Sequence, residues 1–108
     1  MNVYKLAEAL SLTALATPDV DREVTGCYIG DLLSWVMGRA GADSVWVTIM
    51  TNINTVAVAT LVDAAMVIIA ENAEIEPEVI QKAQEKGVNL YTSPLDAYAL
   101  AIEIAKHI

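Results

Sequence analysis

Three features of the sequence predict a small α/β fold, with a mainly parallel sheet of about five short strands and about five helices in two or three layers. The first is alternation: apolar, β-branched runs at Val45 to Met50, Met66 to Ala70 and Val88 to Thr92 are separated by helix-length segments, the grammar of parallel strands. The second is size, because 108 residues make a single domain, 1–108, that can bury roughly 65% of the surface of its unfolded chain. The third is composition. With 56% apolar and only 19% charged residues, the chain carries more hydrophobic surface than a lone small domain hides, and the surplus reads as an oligomer interface.

Taken in order, Asn2 can cap a first short helix whose apolar positions Val3, Leu6, Ala7 and Leu10 share one face, with an end near Leu10. Leu12 to Ala16 reads as a strand, and Thr17-Pro18-Asp19 as a turn, since Pro18 fixes its own φ and restrains Thr17. Thr25 to Ile29 is a second strand. Gly30-Asp31 has the chemistry of a break and a helix cap, with the Asp31 carboxylate expected to accept from the first amides of a helix from Leu32 to about Arg39.

Beyond the strand Val45 to Met50, Ile53 to about Ala64 suits a helix with almost no polar face, so it needs cover on every side. The helix Leu32 to Arg39, with Leu33, Trp35, Val36 and Met37, is similarly broad. A second copy of the chain is a plausible cover for one or both, which predicts a homodimer. The next helix is the most legible, with Pro77 in its first turn, Glu76 and Glu78 at its start, Lys82 and Lys86 later and Gly87 as terminator. Its inward face should be Val79, Ile80 and Ala83. The last helix begins around Pro94 and should turn Leu95, Tyr98, Ala99, Ile102 and Ala105 inward, leaving Asp96, Glu103 and Lys106 for water.

Charge narrows the function. A formal charge of -8 with only six Lys and Arg repels a phosphate backbone, so nucleic acid is set aside. The apolar segment Ile53 to Ala70 is nearly of spanning length, but Asn54, Thr55, Thr60 and Asp63 interrupt it and no basic residue flanks it, so a membrane span is set aside too. The single cysteine excludes an internal disulfide, no leader-like pattern opens the sequence, and a cytoplasmic protein is the expectation.

Most polar residues without an obvious solvent-face role gather between Asp21 and Asn54. In a parallel sheet, ligands settle outside the carboxyl ends of the strands, where Thr51 and Asn52, Glu71 and Asn72, and Thr92 and Ser93 fall on this reading. The same residue types serve as caps and turns in any α/β protein. Arg22 is the only cation of the stretch before Arg39 and could clamp an anion in a bidentate fork; alternatively, Asp21 and Arg22 form ion pairs that hold the loop. Neither GxxxxGK[ST] nor GxGxxG is present.

Catalytic constellations are poor. His107 is penultimate, on a helix end prone to fray, and Cys27 sits in an apolar strand without a histidine nearby, which reads as a buried, inert thiol. No metal spacing or cofactor motif appears, and Trp35, Trp46, Tyr28, Tyr91 and Tyr98 read as packing area.

The segments VDREVTGCYIGDLLSWVM, WVTIMTNINTVAVATLVDAAMVIIAEN and KGVNLYTSPLDAYALA resemble the DRTGG domain, whose naming residues are matched by Asp21, Arg22, Thr25 and Gly26, with Gly30 for the last. Cys27 follows Gly26 where a second glycine is expected. The resemblance implies a regulatory module like the N-terminal domain of HPr serine kinase/phosphorylase and the units that accompany CBS domains in inorganic pyrophosphatases or occur in phosphotransacetylases. It implies association and small-molecule sensing rather than catalysis. The expected ligand site is Asp21, Arg22, Thr25, Gly26, Gly30, Thr48, Thr51, Asn52 and Asn54. The expected function is a homodimeric, non-catalytic sensor of a small anionic ligand such as a nucleotide, or a module docking on a kinase, phosphatase or metabolic enzyme. Alternatives are a protein-interaction scaffold without a ligand and a small enzyme.

Overall fold

A computed structural model describes residues 1–108. Ten elements follow one another: α1 (Val3–Ala9), β1 (Thr13–Ala16), β2 (Gly26–Ile29), α2 (Leu33–Arg39), β3 (Ser44–Thr48), α3 (Ile53–Val62), β4 (Met66–Ile69), α4 (Pro77–Lys86), β5 (Leu90–Thr92) and α5 (Ala97–Ala105). The strands form one sheet in the order β1-β5-β4-β3-β2. Strands β2 to β5 are parallel, and β1 pairs antiparallel with β5.

The alternation of side chains along each strand divides the core in two. Val45, Val47, Met66, Ile68 and Tyr91 meet α1 and α5 on one face, through Val3, Leu6, Leu100 and Ile104. Trp46, Val67, Ile69 and Leu90 meet α2, α3 and α4 on the other, through Val36, Val56, Ala59, Val79 and Ala83. The architecture is therefore three layers, helices on both faces of the sheet. The helices that connect the parallel strands lie on a single face, and the strands run in unbroken sequence from β2 to β5. The parallel part of the sheet has no point where strand order reverses, the place that opens a ligand crevice in doubly wound folds.

Local signals acted as expected in two helices. The Asn2 side chain accepts from Lys5 N, Gly87 ends α4 with φ 76°, and Pro77 occupies its first turn. The α1 positions Val3, Leu6, Ala7 and Leu10 are all buried.

Other expectations are corrected. Asp31 does not cap α2. Its Oδ1 instead accepts from Thr48 Oγ1 at 2.7 Å and Ile49 N at 2.9 Å, and Leu32 begins the helix with no side-chain cap. Two well-placed donors at the end of the neighbouring strand outcompete the first-turn amides. The inward face of α5 is also rotated: Leu100 and Ile104 are buried, whereas Tyr98 is 77% exposed and Leu95, Ile102 and Ala105 face out. A helix almost wholly apolar offers no periodicity to set its rotation. Finally, α3 is buried only along Thr55, Val56, Val58, Ala59 and Val62, leaving Ile53, Ala57 and Leu61 in solvent.

Candidate functional site

The polar residues of the Asp21 to Asn54 stretch separate to opposite ends of the sheet. Arg22 lies at the amino ends of the parallel strands. Its Nε and Nη2 donate to Asp43 Oδ1 at 3.0 and 2.8 Å, and Nη2 also reaches the Asp63 carbonyl at 2.6 Å and the Asp63 carboxylate at 3.0 Å. Asp43 immediately precedes β3, and Asp63 caps α3 just before β4. Both occupy the left-handed region, at φ 61° and 59°, and Asp43 N donates to the Asp63 carbonyl. Three strand entries are thereby tied to one guanidinium. Partial burial pulls the Arg22 pKa down, but hydrogen bonds and charge from Asp43 and Asp63 outweigh it, and the net direction is up. Asp21 and Thr25 are exposed beside this junction, and Thr25 N donates to the Asp43 carbonyl.

Gly26 opens β2 with nothing near the position of a side chain, while a Cβ at Gly30 would meet Tyr28 Cε2 at 3.0 Å. The Gly30 carbonyl accepts from Trp46 Nε1 at 2.9 Å, the one polar contact of a fully buried tryptophan. At the carboxyl ends, Thr48 Oγ1 donates to Asp31 and accepts from Met50 N. Asn52 caps α3 by accepting from Asn54 N at 2.9 Å, and Thr55 Oγ1 donates back to the Met50 carbonyl. Thr51 is half-buried in this loop, and the Asn54 side chain points out.

Asn54 joins a different set of neighbours. With Ile53, Ala57 and Thr60 of α3, and Lys82 and Lys86 of α4, it lines an open groove of about 340 Å³ between the two helices. Neither lysine takes part in an ion pair. Of the other cations, Arg22 is bound to Asp43 and Asp63, Lys106 to Glu103, Arg39 stacks on the exposed Trp35 ring at 3.7 Å, and Lys5 stands exposed on α1 without an ion pair. The sequence placed Lys82 and Lys86 only as the later basic residues of a helix that opens on acids and ends at Gly87. The missed signal was their four-residue spacing, which puts both on one side of α4.

Cys27 corrects another expectation. It lies exposed on β2 at the sheet edge, although neighbouring groups desolvate the thiol enough to push its pKa up. Trp35 and Tyr98 likewise stand in solvent rather than in the core, whereas Trp46 and Tyr91 are buried.

This fold is shared with a solved structure, the CBS and DRTGG domains of the regulatory region of Clostridium perfringens pyrophosphatase, complexed with its activator, diadenosine tetraphosphate. The TM-score is 0.74 over 94% of this chain. The chain resembles a DRTGG domain. At 11% identity the likeness is one of fold, and this chain spans 45% of the length of that one. No family model and no curated protein matches. Within the DRTGG-like fold, Arg22 is spent on the frame of the sheet, and two of the cations without an ion pair, Lys82 and Lys86, stand together at the α3–α4 groove. No helix is long and apolar enough to cross a membrane.

Proposed function

We propose that this chain is a cytoplasmic, non-catalytic regulatory module that binds a small anionic ligand in the groove between α3 and α4. The observation that carries the reading is the pair Lys82 and Lys86, two of the six cations in a chain of net charge -8, both unpaired and both lining one groove. Around them the groove offers an apolar wall, Ile53 and Ala57, and the polar side chains of Asn54 and Thr60. A nucleotide fits that mixture: an aromatic base for the wall and phosphates for the lysines. The fold it shares with a regulatory region crystallised with a dinucleotide supports the same class.

In this reading the nine polar-stretch residues divide by role. Asn54 contacts the ligand, with Thr51 and Asn52 shaping the same end of α3, while Thr48 and Gly30 hold the loops beside it. Asp21, Arg22, Thr25 and Gly26 serve the frame at the other end of the sheet. The module acts as a homodimer, because large apolar side chains such as Ile29 and Ile108 stay exposed. It passes the ligand signal to a metabolic or signalling enzyme, such as a kinase or phosphatase. A second reading, a docking scaffold without a ligand, draws on Leu95 and on the outward Tyr98 and Ile102 of α5.

Thermal unfolding against nucleotides, sugar phosphates and inorganic phosphate tests the first reading. Ligand at 100 times its dissociation constant adds about 2.7 kcal/mol, roughly 10 °C or more for a domain of this size. A selective rise supports the sensor, and a flat panel favours the scaffold.

A further inference from the structure

The two edges of the sheet are finished differently. At β1 the pairing with β5 shifts register between Ala14 and Ala16, and Thr17-Pro18 ends the strand, devices that discourage another strand from adding. At β2 nothing comparable is present. Gly26, Cys27, Tyr28 and Ile29 pair regularly with Ser44 to Val47 and carry no charge, proline or bulge. Gly30 N donates to the Val47 carbonyl, so alternation along the strand turns the amides and carbonyls of Cys27 and Ile29 toward the open edge.

The same edge is apolar. Helix α5 stops short of it, leaving an open groove of about 490 Å³ lined by Cys27, Ile29, Ala101, Ile104, Ala105 and Ile108 without one charged side chain. In a chain of net charge -8, this is a surface where two copies can meet without opposing acidic side chains. Ile29 is 42% and Ile108 45% exposed there.

We infer that β2 pairs antiparallel with β2 of a second copy across a two-fold axis at Tyr28, joining two five-stranded sheets into one of ten. This identification of the partner surface rests on the self-association part of the proposed function. The register follows from the backbone. Because Cys27 and Ile29 both face outward, placing Cys27 opposite Ile29 of the second copy makes four hydrogen bonds, two on each side of the axis. The pairing is isologous and closes on itself, so it gives a dimer and not a filament. On the α5 side, Ile29 and Ile108 of each copy then cover the groove of the other. The exposed faces of α2 and α3 are left free, so the lysine groove stays open in the dimer.

Light scattering at micromolar concentration on the wild type, Ile29→Lys, Ala105→Glu and Leu61→Lys tests this. All three substitutions fall at exposed positions, and circular dichroism verifies that each variant is folded. The expected result is a wild-type dimer whose dissociation constant rises about tenfold or more in Ile29→Lys and Ala105→Glu and is unchanged in Leu61→Lys. A dimer weakened only by Leu61→Lys overturns the β2 interface and keeps self-association, through α3. A monomeric wild type overturns both.

Discussion

Arg22 donates through Nε and Nη2 to a single oxygen of Asp43, at 3.0 and 2.8 Å, so the loop entering β2 is fastened to the loop entering β3. Asp63 adds the entry of β4 to the same junction. Replacing Arg22 with Ala leaves two carboxylates without their donor, while the Asp63 carbonyl keeps only Asp43 N. Because Asp43 and Asp63 are 47% and 69% exposed, water recovers part of the loss, and the expected cost is about 1–2 kcal/mol by urea unfolding. Arg22→Lys, a point charge without the fork, should fall between. Under the groove reading, ligand affinity is unchanged in both variants.

The Trp46 side chain is wholly buried and its indole N–H meets the Gly30 carbonyl at 2.9 Å. Trp46→Phe removes that donor and leaves a void. A loss of about 2–3 kcal/mol is expected in denaturant titration, larger than for Trp35→Phe at an exposed site.

Asp31 holds the loop after β3 through Thr48 and Ile49. In Asp31→Ala the Ile49 amide loses its acceptor, so its hydrogen exchange should quicken, with a stability cost of about 1 kcal/mol. Asn at this position keeps an oxygen and should retain most of the protection.

Desolvation raises the pKa of Cys27. The folded state therefore holds its proton more firmly than the unfolded state. The associated stability is present below the ordinary thiol pKa and is lost as pH rises through the folded value. Alkylation by iodoacetamide should accordingly reach half-maximal rate at a higher pH in the folded protein than in urea. A profile shifted lower would contradict this environment.

The sheet was legible in the sequence because each buried strand announces itself as a β-branched run, and α4 because Pro77, Lys86 and Gly87 mark both its ends. The rotation of α5 was not, since Ala97 to Ala105 is apolar on several sides and only contact with the sheet selects Leu100 and Ile104. The polar stretch misled in a different way. Residues adjacent in sequence, such as Arg22 and Gly30, straddle a strand and so emerge at its two ends. The partners of Arg22 did leave a trace, an aspartate just before Ser44 and another just before Ala64 and Ala65, each at a strand entry. The groove left less, because Asn54 and Lys86 come to line one groove only once α3 and α4 are laid side by side on the sheet.

Calorimetric titration of the wild type and the double variant Lys82→Glu/Lys86→Glu with ATP and diadenosine tetraphosphate bears most directly on the sensor reading. Saturable binding of at least one of them to the wild type is expected, with affinity falling tenfold or more in the variant while its unfolding midpoint without ligand stays close to that of the wild type. Equal affinity in both proteins, or no binding to either, would contradict the α3–α4 groove as the seat of function.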